Sequence, residues 1–150
     1  MNFQIVQIFA GFVGSIGYGV LFNLRGKRLV WGAIGGLLSW SIFVLLSLFI
    51  PNEIINYFFV SVLISIYAEI FARILRTPTT PLIITSLMPL IPGGSLYYTI
   101  AAVFDESLDV FFEKAFYTLK LAAALALGVI VVLAAWRFVA AKPLKKEAKD

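Results

Sequence analysis

The middle of one long apolar stretch holds two prolines, two adjacent glycines and a serine: Pro89, Pro92, Gly93, Gly94 and Ser95. Proline removes a backbone donor and clashes with the preceding turn, so a continuous helix is not expected there. A half-helix that begins at Gly93 would present free N–H groups and the positive end of its dipole to an anion. We therefore predict that these residues bind a carboxylate, with a purely structural kink as the alternative.

Glu69 is the best candidate for an ionisable residue with a function inside the membrane. Arg73 follows one helical turn later, which also allows a plain ion pair at the membrane interface. Two interpretations therefore stay open for this pair, a structural ion pair and a role in proton coupling or substrate binding. Asn23 and Tyr97 are further candidates, as members of a polar path, although one sequence does not show which faces point into the bundle.

Cysteine and histidine are both absent. Their absence removes disulfides, thiol nucleophiles, imidazole bases and the common zinc sites. No predicted span contains aspartate, and no glycine-rich nucleotide fingerprint is present. We therefore predict that the protein is not an enzyme and holds no metal or cofactor.

The composition indicates that water is not the main solvent of the protein, because 61% of the residues are hydrophobic and only 13% are charged. A spanning helix needs about 20 mostly apolar residues. Five stretches meet or approach that length: 3–24, 29–50, 54–75, 81–104 and 121–136. The sequence predicts an all-α integral membrane protein with five transmembrane helices, the fourth broken near Pro89–Gly94.

The basic residues predict the orientation of these spans. In the five-span arrangement, ten of the twelve lysines and arginines fall on one side, and only Lys114 and Lys120 fall on the other. Because basic loops stay in the cytoplasm, the N-terminus is expected outside and the C-terminus inside. The net charge of +4 then reflects topology and does not indicate nucleic acid. Residues 1–141 are expected to form one membrane domain, and 142–150 a charged cytoplasmic tail.

Two further patterns concern packing. Residues 108–116 place apolar side chains on one helical face, which predicts a short separate helix at the outer interface. Gly32 and Gly36 are four residues apart in the second span, a spacing that allows close helix approach. Packing within one chain is the expected use of these glycines.

The string from Met88 to Gly93, with five spans and a basic loop after a glycine-rich first span, resembles the second membrane domain of the threonine/serine exporter family. The stretch Gly17–Asn23, followed by the cluster Arg25–Arg28 and by Trp31 and Gly32, is also similar. The resemblance covers nearly the whole chain. It implies secondary transport at the cell membrane, since members export threonine and serine, and a split two-subunit form is associated with succinate export.

The resemblance also implies a partner, because the chain corresponds to one of the two membrane halves of the full-length exporters. Two five-helix halves of opposite orientation could enclose a site near the membrane midplane. The expected partners are therefore a second five-helix subunit, a small carboxylate substrate and the lipid bilayer. A non-transporting membrane scaffold, or an accessory subunit of a membrane complex, is the alternative function.

Overall fold

The computed structural model describes residues 2–105 and 108–140, and its regular elements are all helical. The six α-helices are α1 (Asn2–Leu21), α2 (Lys27–Ser47), α3 (Glu53–Ile74), α4 (Thr79–Leu87), α5 (Gly93–Asp105) and α6 (Leu108–Ala140). A 3₁₀ turn, Met88–Leu90, separates α4 from α5. The all-helical prediction is confirmed for this part of the chain, whereas the predicted tail 142–150 lies outside the described residues.

Three helices are individually long and apolar enough to cross a membrane, namely Lys27–Ser47, Glu53–Ile74 and Leu108–Phe138. The segments Thr79–Leu90 and Gly93–Phe104 meet the same criterion together, and they are bent by 58° at the break between them. The apolar part of α1, Ile5–Leu21, is shorter. The described residues therefore contain three to four candidate spans, and the five-span count and its orientation stay predictions.

Two helices end in the same way at one end of the molecule. After α1, Leu24 N–H donates to Gly19 O (2.8 Å) and Asn23 N–H to Val20 O (3.0 Å). Asn23 takes a positive φ of 57°, so this is a Schellman cap with asparagine at the left-handed position. Arg76, with φ of 48°, has the same place after α3. The turn after α3 also contacts the first turn of α2, because the Arg28 guanidinium lies 3.4 Å from Arg76 O.

Small residues let α1, α2 and α4 approach closely. A Cβ atom built on Gly36 would lie 2.5 Å from the Cβ of Ser15 on α1, and one built on Gly35 would lie 2.7 Å from the Cβ of Ser86 on α4. Both distances are shorter than real Cβ contacts, so only glycine fits without a shift of the neighbour. The predicted packing of the α2 glycines within one chain is confirmed.

Helices α3 and α6 run in the same direction. The Tyr117 hydroxyl donates to Glu53 at the start of α3, Ser61 contacts Gly128, and Arg73 lies over the ring of Trp136. By helical geometry, the residues of α6 before Tyr117 continue about 14 Å beyond the level of Glu53. The predicted separate helix over residues 108–116 is wrong, because α6 continues through Lys120 without a proline or glycine to break it.

Candidate functional site

The helix is interrupted within the predicted segment Pro89–Gly94. After the 3₁₀ turn, Ile91 is extended, with φ of −60° and ψ of 124°. Helix α5 begins at Gly93, and Leu96 N–H donates to Pro92 O at 3.0 Å. The N–H groups of Gly94 and Ser95 precede this bond and have no acceptor among the described residues, as is usual in a first helical turn. The break and the half-helix start are therefore confirmed.

The prolines and glycines of this segment have different surroundings. The Pro89 side chain faces Gly11 of α1, where an added Cβ would lie 3.2 Å from the proline Cβ. Gly93 and Gly94 are exposed, and a Cβ added to either would meet nothing within 4 Å. Pro89 thus anchors the break to the bundle, and the two glycines leave the start of α5 open.

A pocket of about 580 Å³ lies between α5 and α6 and reaches this open start. Helix α5 contributes Ser95 from its first turn and Tyr98 one turn later. Helix α6 contributes five polar or charged residues: Glu113, Lys114, Tyr117, Thr118 and Lys120. The volume falls in the range of small-molecule sites, and both signs of charge are present on its wall. Of the residues predicted to bind substrate, Ser95 is the one on this wall.

Hydrogen bonds fix the two walls of the pocket. The Thr99 hydroxyl lies 2.8 Å from Ser95 O and 3.0 Å from the Thr118 hydroxyl, so it joins α5 to α6. Tyr117 is tied to α3 by its bond to Glu53. The pocket therefore belongs to the end of the molecule where α3 begins.

The predicted Glu69–Arg73 pair is present, with 3.7 Å between Glu69 Oε2 and Arg73 Nε. Glu69 is buried, whereas the Arg73 side chain is more than half exposed. The pair lies about 24 Å along α3 from Glu53, by helical rise. The structure therefore does not bring this pair to the pocket.

Glu69 belongs to a line of polar residues on α3. Ser61, Ser65, Glu69 and Arg73 follow at intervals of four, which places them along one face. Ser61 contacts Gly128 of α6 and Arg73 lies 5.1 Å from the Trp136 ring centroid, so this face is turned toward α6. The Ser65 hydroxyl is buried and has no hydrogen-bond partner among the described residues. We refer to these four residues as the α3 polar line.

Asn23 and Tyr97 are not on the pocket wall. Asn23 is exposed in the cap of α1, and Tyr97 is 68% exposed on α5, beside Tyr98. The sequence alone does not identify Glu113 and Lys120 as site residues, because the pattern of residues 108–116 predicts a surface helix and the fifth predicted span begins only at residue 121. The spacing of Glu113, Tyr117 and Lys120, at i, i+4 and i+7, was the available signal.

A family of known proteins matches most of this chain. Neither the curated proteins nor the solved structures contain a match to this chain. Residues 7–135 match the model of a protein family described as "Threonine/Serine exporter, ThrE". The matched region extends from α1 to near the end of α6 and includes the break, the pocket and the α3 polar line. The chain belongs to the threonine/serine exporter family of membrane transporters.

Proposed function

We propose that this chain is one subunit of a secondary transporter that exports a small carboxylate-bearing metabolite across the cell membrane. Threonine, serine and a dicarboxylate such as succinate are the candidate substrates. The family match supports export of the first two, and the chemistry of the site extends to any small carboxylate. In this proposal the N-terminus lies outside the cell, and the end of the helix bundle that carries the Arg28–Arg76 contact faces the cytoplasm.

The observation that carries the proposal is the open start of α5 beside a polar pocket. The unpaired N–H groups of Gly94 and Ser95 and the helix dipole favour a negative group there. The pocket wall adds the Ser95 hydroxyl and the lysines at 114 and 120. A substrate whose carboxylate binds at Gly93–Ser95 would thus have its remaining atoms in the pocket.

A second subunit fits the exposure of α5. This helix packs mainly on α6, and open space surrounds the positions of a Cβ added to the glycines at its start. A substrate there would have protein on one side only. A five-helix partner of opposite orientation would supply the other wall, in the manner of inverted-repeat transporters.

The α3 polar line supports proton coupling. It joins a buried carboxylate, Glu69, to an arginine at the end of α3 where the basic turns meet. Buried carboxylates in membrane helices are common proton carriers. In this proposal Glu69 alternates between a proton and its bond with Arg73, and its distance from the pocket requires a change of conformation to link the two events.

The test is efflux of preloaded, labelled threonine, serine and succinate. Cells would express this chain alone or together with a candidate five-helix partner. Export of at least one compound only when both proteins are present is the expected result. No export of any of the three, with both proteins in the membrane, would contradict the proposal and favour the scaffold alternative.

A further inference from the structure

Four exposed basic side chains lie at the end of the bundle that carries the Arg28–Arg76 contact: Arg25, Lys27, Arg28 and Arg76. The first three belong to the turn after α1 and to the first turn of α2, and Arg76 follows α3. The Arg28 guanidinium reaches across and donates to Arg76 O at 3.4 Å. Two separate parts of the chain therefore bring positive charge to one place. We refer to these four residues as the basic surface.

The basic surface has no acidic counterpart within salt-bridge distance among the described residues. Glu53 begins α3, and the exposed acid Asp109 and Glu113 lie near the start of α6, at the opposite end of the bundle. Glu69 lies deeper in α3 and is paired with Arg73. Cations that are gathered without an acid repel one another. An anion from outside the chain would therefore stabilise this end of the bundle.

Aromatic residues place the basic surface at the depth of the lipid headgroups. Trp31 follows Arg28 by three residues, so it lies about one helical turn deeper in α2. Its ring stacks on Phe71 of α3, with 4.1 Å between the ring centroids, and its carbonyl accepts a bond of 2.8 Å from the Tyr67 hydroxyl. Tryptophan is enriched at the boundary between the apolar core and the headgroups. Arg28 and Arg76, which lie farther out than this aromatic stack, then reach the level of the lipid phosphates.

We propose that the basic surface binds the phosphate of an anionic phospholipid, with Arg28 and Arg76 as the principal contacts. Guanidinium groups bind phosphate through paired, charge-assisted hydrogen bonds. Basic sites between transmembrane helices bind anionic headgroups by the same chemistry. A lipid is favoured over a soluble phosphate because the Trp31 level puts the surface within the headgroup layer. The inference does not depend on the transported substrate.

The experiment measures lipid binding near Trp31 in the full chain, reconstituted in bilayers. The chain has three tryptophans, so Trp40→Phe together with Trp136→Phe leaves Trp31 as the reporter and keeps an aromatic ring at both other positions. Brominated phosphatidylcholine quenches tryptophan fluorescence on contact. Unbrominated phosphatidylglycerol relieves the quenching where it displaces that lipid. We expect phosphatidylglycerol to bind beside Trp31 at least about tenfold more tightly than phosphatidylcholine.

Arg28→Gln in this background tests the site. It should lower the preference for phosphatidylglycerol about fivefold, the equivalent of about 1 kcal/mol for one cation at the headgroup level. Arg137→Gln is the matched control, because Arg137 is an exposed arginine on α6, which packs mainly on α3 and α5. It should keep the preference. Both variants retain the charged residues of 142–150, so the contribution of that segment cancels.

Four results would overturn the inference: equal binding of the two lipids beside Trp31, an unchanged preference in Arg28→Gln, an equal loss in Arg137→Gln, or displacement of phosphatidylglycerol by excess inorganic phosphate. The third would mean a general attraction of the basic end for anionic lipid, and the fourth would assign the surface to a soluble anion. The first needs no arginine variant, so the inference can fail even if Arg28→Gln does not fold. None of them bears on the proposed function, which efflux tests separately.

Discussion

At the residue scale, two sets of glycines in this chain have opposite surroundings. Gly35, Gly36 and Gly128 lie where an added methyl group would collide with a neighbouring helix. Gly14, Gly93 and Gly94 have open space instead. The first group is needed for packing within the chain. Substitutions in the second group leave that packing intact, so they test contacts with molecules outside the chain.

Gly94→Leu is the residue-scale test of the half-helix site. Because nothing lies within 4 Å of an added Cβ, we expect the variant to fold and to enter the membrane normally. Its side chain would cover the open start of α5, so efflux should fall at least about tenfold, the equivalent of about 1.4 kcal/mol. Gly14→Leu, at an equally open helical glycine, is the control and should keep its efflux. Normal efflux by Gly94→Leu would remove the site from Gly93–Ser95.

Glu69→Gln tests proton coupling at the same scale. Glutamine keeps the shape of the side chain but does not exchange a proton, so export driven by a pH gradient should fall at least about tenfold. Substrate exchange without a gradient should continue, because the pocket lies far from Glu69. Asp109→Asn is the control. An unchanged response to the gradient would leave the Glu69–Arg73 pair with a structural role only.

At the element scale, the contact between α3 and α6 holds α5 and α6 to the other helices. Helix α5 packs mainly on α6, and α6 reaches the bundle mainly through α3. Gly128 lies in this contact, where an added Cβ would be 2.8 Å from Phe58 O. A backbone atom yields less easily than the end of a side chain, so this position has little tolerance.

Gly128→Ala should therefore destabilise the protein by roughly 1–3 kcal/mol, the usual range for overpacking. Gly14→Ala should be neutral or stabilise by up to about 1 kcal/mol, because alanine favours a helix and the site is open. Denaturation of both variants in detergent, followed by tryptophan fluorescence, gives the comparison. Equal stability would mean that α3 and α6 are farther apart than described.

At the scale of the whole molecule, the arrangement of the turns bears on orientation. The start of α2, directly after the turn that follows α1, touches the turn after α3 through Arg28 and Arg76. The turn between α2 and α3, which contains Pro51, therefore lies at the opposite end. Because α3 and α6 are parallel, the chain between them must return across the bundle, and α4 with α5 is the segment that does so.

Single-cysteine variants test this orientation without background, because the natural sequence has no cysteine. Pro51 and Thr80 are exposed near opposite ends of α3. A membrane-impermeant maleimide should label Pro51→Cys in intact cells and Thr80→Cys only after permeabilisation. The reverse pattern would invert the proposed orientation, and labelling of both in intact cells would show that the two turns share one side.

The sequence by itself determined the features that depend on a few neighbouring residues. These are the membrane class, the break at Pro89–Gly94 and the ion pair of Glu69 with Arg73. Each follows from local causes, such as the missing N–H of proline or the spacing of one helical turn. For the same reason the membrane assignment needed only composition and span length.

Only the tertiary structure decided that Glu113 and Lys120 share a pocket with Ser95, that α6 is one helix, and which glycines are packed. These features depend on the rotation and depth of each helix relative to the others. In a membrane the lipid-facing and protein-facing sides of a helix are both apolar, so hydrophobic periodicity does not report that rotation. The amphipathic pattern of residues 108–116 fits a surface helix equally well. The structure shows instead that Glu113 and Lys114 of this segment line the pocket between α5 and α6.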